Sequence, residues 1–470
     1  MAAHAPLSAF LALLALAGCA LESHVPRPLD AAQVQRDWIA AARVDPDDPA
    51  LRLALEQARV DVTTWPLPAW NLPALTVLAL RRDPELAVAR AEAAEALAAR
   101  DAAGRRADPG LDLALEHHSA PGATDSPWSL GVALAGLIGG DERRSAQRAQ
   151  ADALADEAVL RAALAAWQVR HRVRDAARDL DVAQRRQRHA NDAATLRADD
   201  LRLAERRLFH GAADARALDL ARLRDAQAAR ERAASQGEVL QARQTLARSL
   251  ALPLSQLDAL PLAAPPEDAT PSTPLQDVDL QRTMLLDRIE VRAQLARYAA
   301  ADAALRVEIA RQWPELSLKP GFMWDQGDHR WSLGVGFVLP LFERNQGAIA
   351  QANARRDTEG VRFTALQAQA LADLESARVA TDSAARQLML TQDQMHRSVT
   401  SVARVERRLE AGDADRADLL GARELVLQTQ RAVIDARGAW LAARARLEDV
   451  VQRPLDGGMS GMPPLRIGRR

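Results

Sequence analysis

Two short islands of strict alternation interrupt a chain whose remaining pattern is helical. In the first, Leu111, Leu113 and Leu115 alternate with Asp112, Ala114 and Glu116. After a Pro/Gly/Ser loop, Trp128, Leu130, Val132 and Leu134 alternate with Ser129, Gly131, Ala133 and Ala135. The second island repeats this. Leu316, Leu318, Phe322 and Trp324 stand against Ser317, Lys319, Gly321 and Met323. Trp331, Leu333, Val335, Phe337 and Leu339 then alternate with Ser332, Gly334 and Gly336. A period of two predicts strands, at about 109–118, 127–138, 314–324 and 330–341. Each segment has about the ~9–11 residues a tilted strand needs to cross a bilayer. Large apolar residues on one face and small or polar ones on the other suit lipid on one side and water on the other.

The pentapeptide Trp128-Ser129-Leu130-Gly131-Val132 returns unchanged as Trp331-Ser332-Leu333-Gly334-Val335, so one folding unit occurs twice. The repeats span 72–252 and 275–453, after a lead segment at 19–71. Each reads as helix, two strands, very long helix, turn and shorter helix. The long helices are predicted at about 143–208 and 344–409, with the stripe Val173, Ala176, Leu180 and Ala183 marking one buried face. Neither contains proline, and at 1.5 Å per residue each reaches roughly 100 Å. Shorter helices at about 74–106 and 214–250 have the summed length to cover the first of them end to end. This puts both strand pairs at one pole and both turns, near Gly211 and Gly412, at the other. The proline-rich stretch 253–274 connects the repeats, and 454–470 reads as a flexible tail.

Trp128, Trp324 and Trp331 sit near strand ends, where interfacial aromatics belong. Trp128, Leu130, Val132, Trp331, Leu333 and Val335 are therefore expected to face lipid. Four strands cannot close a membrane barrel, because the smallest have about eight, and an open edge in lipid leaves backbone groups unpaired. Copies of the chain must complete it: two give eight strands and three give twelve.

Composition narrows the rest. Ala, Leu and Arg dominate, Tyr298 is the only tyrosine and Lys319 the only lysine. That favours helix and removes lysine-based catalytic motifs elsewhere. A net charge of −2 with both signs interspersed argues against nucleic acid as a partner. No His-Glu-x-x-His, Gly-x-Ser-x-Gly or lysine-bearing phosphate loop occurs, so neither an enzyme nor a cofactor or metal site is expected. His117 and His118 are adjacent on a strand and point to opposite faces. At the N-terminus, 1–18 reads as a signal peptide ending Leu16-Ala17-Gly18-Cys19, although Met1 to Ser8 lacks Arg and Lys. This resembles the bacterial lipobox, which implies lipidation of Cys19, the only cysteine, and Ala20 after it fits sorting to the outer membrane.

Two helix–hairpin–long helix repeats, with Pro340-Leu341-Phe342-Glu343-Arg344-Asn345-Gln346-Gly347 closing the second strand pair, resemble the TolC-type outer-membrane efflux proteins. The likeness runs from about Leu72 to Leu455 and is greatest to the subgroup serving cobalt–zinc–cadmium type heavy-metal efflux. The first repeat departs at Leu137 to Arg143, which lacks the Pro-Leu-Phe. The resemblance implies a mainly α protein with a small β part. It implies a homotrimer with a twelve-stranded outer-membrane β-barrel, continued by a periplasmic α-helical barrel. A periplasmic adaptor and an inner-membrane pump are the implied partners.

The turns resemble the family's periplasmic tips, where the adaptor docks. Arg207, Leu208 and Gly211, with Arg222, match Arg408, Leu409 and Gly412, with Arg423. Gly211 and Gly412 suit helix C-caps, and Asp214, Asp413 and Asp415 suit N-caps. Glu410, Asp413, Asp415 and Asp418 crowd the second tip, and in a symmetric assembly they would form cation-concentrating rings at the pore entrance. The function expected is a passive exit duct for divalent metal cations. Drug efflux, type I secretion and, in a different class, a periplasmic coiled-coil adaptor are the alternatives.

Overall fold

The computed structural model describes residues 24–119, 126–263, 282, 284–337 and 343–455. Cys19, the signal segment, Pro340 to Phe342, the second half of the proline-rich connection and nearly all of the 454–470 tail lie outside the described residues. The chain divides into two units, residues 1–45 and 46–470. The first contains α1 (Ala31–Ala41), started by Asp30, whose side chain accepts from the Ala32 N–H.

In the second unit α2 (Pro49–Gln57) and α3 (Leu72–Arg82) lead into α4 (Pro84–Ala102). The single Ala-rich helix expected at 74–106 is broken in two at Asp83. Pro84 cannot donate a backbone hydrogen bond, and the Asp83 side chain instead accepts from the Leu86 N–H and starts a new helix. β1 (Gly110–His117) and β2 (Trp128–Ile138) follow, then α5 (Asp141–Phe209), 69 residues without a break. α6 (Ala215–Ser249) runs back along it. Pro253 then begins a five-residue helix, α7 (Leu254–Asp258), inside the connection expected to be non-helical. Proline suits a helix start, where its missing N–H costs nothing.

The second half repeats the order with α8 (Ile289–Ala310), β3 (Leu316–Asp325), β4 (Asp328–Gly336), α9 (Gln346–Glu410) and α10 (Arg416–Val451). β4 starts two residues earlier than expected. Gln326 and Gly327, both at positive φ, make a two-residue turn that draws Asp328 and His329 into the ladder. Among the described residues no helix is long and apolar enough to cross a membrane.

Contacts along α5 show how it is covered. Arg148 of α5 donates to Gly104 just past α4, Arg172 pairs with Asp83 at 2.6 Å, and Arg186 reaches Glu238 of α6. α4 therefore lies on the half of α5 nearest the sheet and α6 on the half nearest the turn. Where the two meet, Trp70 exchanges backbone hydrogen bonds with Pro261 and Ala263. α8 and α10 divide α9 in the same way, and both also pack on α5.

The seam between α5 and α10 is charged. Arg170 and Arg174 meet Glu448, Arg186 meets Asp435, Arg197 meets Glu424 and Arg207 meets Asp415, at 2.5–3.0 Å. These rungs recur about every eleven residues on both helices, or three turns, which returns each partner to the same face. Arg197 hydrogen-bonds Glu424 and holds its carboxyl below the usual range. At Asp435 burial pushes the carboxyl up, and hydrogen bonds from Arg186 and Arg431 outweigh it. Glu448 is the most buried of these acids, at 8% exposure. Replacing it with alanine removes the carboxylate partner of the largely buried Arg170 and leaves Arg174 with Asp175 at 4.0 Å and the Ala445 carbonyl, a loss of about 3–5 kcal/mol. The thermal unfolding temperature of E448A should fall clearly below that of D435A, whose site is 41% exposed.

Candidate functional site: an amphipathic sheet and two helical tips

β1 to β4 form one antiparallel sheet in sequence order, with β2 and β3 joining the two repeats. Opposed residues share a face, so the register sorts the side chains. Leu113 faces Val132, Val132 faces Phe322, and Phe322 faces Trp331. Leu111, Leu115, Leu130, Leu134, Trp324, Leu333 and Val335 lie on that same face. The opposite face carries Asp112, Glu116, Ser129, Gly131, Ala133, Lys319, Asp325 and Arg330. The apolar face is uncovered: Leu113 is 70% exposed, Trp331 82% and Leu333 65%. An exposed apolar surface of that extent marks a contact with lipid or protein. The aromatics gather at the hairpin-turn end, with His117 edge-on to Trp128 and Phe322 against both His329 and Trp331.

On the polar face, small residues in β2 let β1 and β3 reach each other across it. Lys319 approaches Asp112 at 3.7 Å. Near the turn end the Ser129 hydroxyl, 1% exposed, donates to Asp325 at 2.5 Å. With that proton committed, Ser129 Oγ can only accept from His118 Nε2, 2.9 Å away. Arg330 completes the group at 2.8 Å from Asp325. Sequence reading missed this cluster, although the serine of the repeated pentapeptide was its one visible sign. It also missed the cleft of about 720 Å³ where sheet meets helices, lined by Arg143, Trp313, Glu315 and Phe337.

At the other pole the two turns are built alike. Ala212 N–H donates to Arg207 O and Gly211 N–H to Leu208 O; Asp413 and Gly412 repeat this with Arg408 and Leu409. Gly211 (φ 70°) and Gly412 (φ 83°) hold the left-handed position this Schellman closure requires. Asp214 starts α6, and Asp415 and Asp418 start α10 as a reciprocal capping box. Asp413 closes the preceding helix through its backbone N–H instead of opening the next one, because it sits directly after the C-cap glycine.

The predicted tip residues are thus gathered into two adjacent turns, and Arg207 bonds Asp415 across them at 2.8 Å. Arg423 pairs with Glu406, Arg222 with Asp219, and Arg408 donates to Asp413 O. Of the four candidate acids, Asp415 and Asp418 are engaged by the cap, while Glu410 and Asp413 present exposed side chains. Phe209, 86% exposed at the first tip, is a surface aromatic that sequence reading passed over. Among the described residues no group of three or more His, Cys, Asp or Glu is placed to hold a metal ion.

The N–H of Asp418, then Arg207, hold the Asp415 carboxyl below its ordinary value. A lowered folded-state value means the cap is intact above the unfolded carboxylate range, about pH 3.9, and is lost as pH falls through the lower value. Amide exchange at Ala417 and Asp418 should therefore be independent of pH-driven cap loss between pH 5 and 7, once intrinsic rates are divided out. It should accelerate only below about pH 3.9. D415N should show faster exchange at neutral pH.

Residues 280–451 match the model of the family described as Outer membrane efflux protein. No curated protein matches the chain. The outer membrane protein VceC of Vibrio cholerae superposes with a TM-score of 0.65 at 19% identity, covering 81% of this chain and 95% of that one. The CmeC outer membrane channel of Campylobacter jejuni gives 0.64 at 16% identity, with 81% and 85% covered. The outer-membrane channel OprN gives 0.67 at 21% identity, with 94% and 100% covered. The fold of this chain is the fold of those proteins.

Proposed function

We propose that the protein is the outer-membrane exit duct of a three-part efflux system, passively passing substrate that an inner-membrane pump energises and a periplasmic adaptor hands over at the tips. The observation that carries this reading is the four-stranded sheet with one uncovered apolar face and two edges, β1 and β4, that have no partner strand among the described residues. Lipid satisfies the face; only more strands satisfy the edges. The match of the second repeat to an efflux family and the fold shared with outer-membrane channels support the same reading.

In this proposal three copies share one twelve-stranded barrel, the helices continue it as a tunnel across the periplasm, and acylated Cys19 adds a lipid anchor. Charged and small side chains on the polar sheet face line the lumen. Glu410 and Asp413, exposed at the second tip, are the acids we assign to the tunnel entrance. Arg207, Leu208, Gly211 and Arg222, with Arg408, Leu409, Gly412 and Arg423, form the adaptor-docking tips; Phe209 adds an apolar contact.

The proposed cargo is divalent heavy-metal cations. This rests on the likeness of Asn345-Gln346-Gly347 to the heavy-metal efflux subgroup. In the fold Asn345 also acts as a scaffold. At φ 58° its side-chain amide donates to Glu308 and ties the start of α9 to α8. Deleting the gene should make cells more sensitive to zinc, cobalt, cadmium or copper, with reintroduction restoring growth. Sensitivity confined to unrelated drugs would overturn the cargo and leave the duct; no change in either would count against both.

A further inference from the structure

The uncovered sheet face ends differently at its two poles. Toward the helices it carries Leu111, Leu134, Leu318 and Val335, none with a polar side-chain atom. Toward the hairpin turns each strand pair closes on one histidine and one tryptophan: His117 opposite Trp128 in β1–β2, and Trp324 opposite His329 in β3–β4. Histidine comes first in one hairpin and tryptophan first in the other. Copying one repeat into the other does not by itself produce that reversal.

These rings sit against other aromatics, with no polar partner. His117 meets Trp128 edge-on with centroids 4.6 Å apart, and His329 stacks on Phe322 at 5.8 Å. His117, Trp128, His329 and Trp331 are exposed. Among the described residues nothing accepts a hydrogen bond from the ring N–H groups of His117, Trp128, Trp324 or His329. Where such rings have polar neighbours, they use them: His118 donates to Ser129, His189 to Leu427 O and Trp167 to Asp449.

The rim thus offers hydrogen-bond donors beside an apolar surface. An indole N–H only donates, and an imidazole donates one N–H when neutral and two when protonated. The carboxylates of the turn end, Glu116, Asp325 and Asp328, lie on the opposite face with Arg330. The complementary ligand is acceptor-rich and anionic, and it reaches the rim while hydrocarbon covers the Leu and Val rows beneath. Phosphate on a lipid headgroup meets both conditions. A sugar or glycerol hydroxyl brings a donor of its own, and no carboxylate on this face accepts it.

We propose that the two His–Trp pairs form a rim that docks the phosphate groups of outward-facing lipid headgroups. The proposal rests on the outer-membrane reading above, in which the hairpin turns point away from the periplasm. Ring N–H groups of His117, Trp128, Trp324 and His329 donate to phosphate oxygens, and the apolar rows below them meet the acyl chains.

The test uses the full chain purified in nonionic detergent, with melting of the assembled protein followed as lipid is added. Diphosphoryl lipid A should raise the melting temperature. The same lipid stripped of its phosphates should need about tenfold more for an equal shift, the ratio expected when a charge-assisted hydrogen bond is lost. Inorganic phosphate at the concentration of the lipid phosphate should give no shift. His117→Phe with His329→Phe keeps both rings, removes their donors and should respond to the two lipids far more equally. His118→Gln, on the opposite face, should keep the preference. Equal response of the unaltered protein to both lipids, an undiminished preference in the double variant, or a shift with inorganic phosphate alone would overturn the proposal. Loss of the preference in His118→Gln would overturn the assignment to this face. Should the double variant fail to assemble, Trp128→Phe with Trp324→Phe removes the indole donors of the same rim and should narrow the preference; an unchanged preference there would also overturn it. A monomer that stays dispersed without detergent and ignores both lipids would count against the duct itself. Detergent-dependent protein blind to the phosphates would count against the rim alone.

Discussion

Backbone hydrogen bonding at the edges of an apolar sheet is the constraint on which the rest of this molecule depends. A peptide group facing hydrocarbon without a partner costs several kcal/mol. β1 and β4 each present a row of such groups, and the face between them is lined with Leu, Val, Phe and Trp. No rearrangement of four strands removes both edges, so in the proposed duct lipid contact and self-association occur together. In the same reading, the lumen side follows from the register. Once alternate residues face lipid, the small and charged ones face water, and β2 is small enough for Lys319 to approach Asp112, and Asp325 to approach His118, across it.

The helices solve a related problem of length. A helix of 69 residues has no partner of equal size in its own repeat, so α3–α4 and α6 cover it between them, with Trp70 locking the connection near their junction. The second repeat does the same, and the Arg–acid ladder then fixes one repeat against the other. Duplication supplies two copies of every surface, but only one copy of the α5–α10 seam can be satisfied within a chain.

Much of this is visible in the residues, because the relevant periods are short. Alternation at Leu111–Leu115 and Trp128–Leu134 marks which residues share a face, and the recurrence of Trp-Ser-Leu-Gly-Val marks the duplication. The tip turns are legible for a local reason: glycine at a C-cap and aspartate at an N-cap satisfy their own neighbours. What was not legible depends on distant partners. Asp415 reads from sequence as an N-cap and a pore-entrance acid, but its bond to Arg207, on the other repeat, cannot be read there. The break at Asp83 depends on which of two adjacent signals, the aspartate cap or the alanine run, prevails. The His118–Ser129–Asp325 group and the ladder join residues hundreds of positions apart, and no periodicity within one segment reports them.

The claim that lipid covers one face and water the other is tested most directly at Val132 and Ala133, neighbours on opposite faces of β2. Arginine at a lipid-facing mid-barrel position costs roughly 2–4 kcal/mol, and at a lumen position far less. Outer-membrane fractions and detergent-stable oligomers should be lost with Val132→Arg and retained with Ala133→Arg. Equal assembly of both variants, or loss with Ala133→Arg alone, would contradict the account.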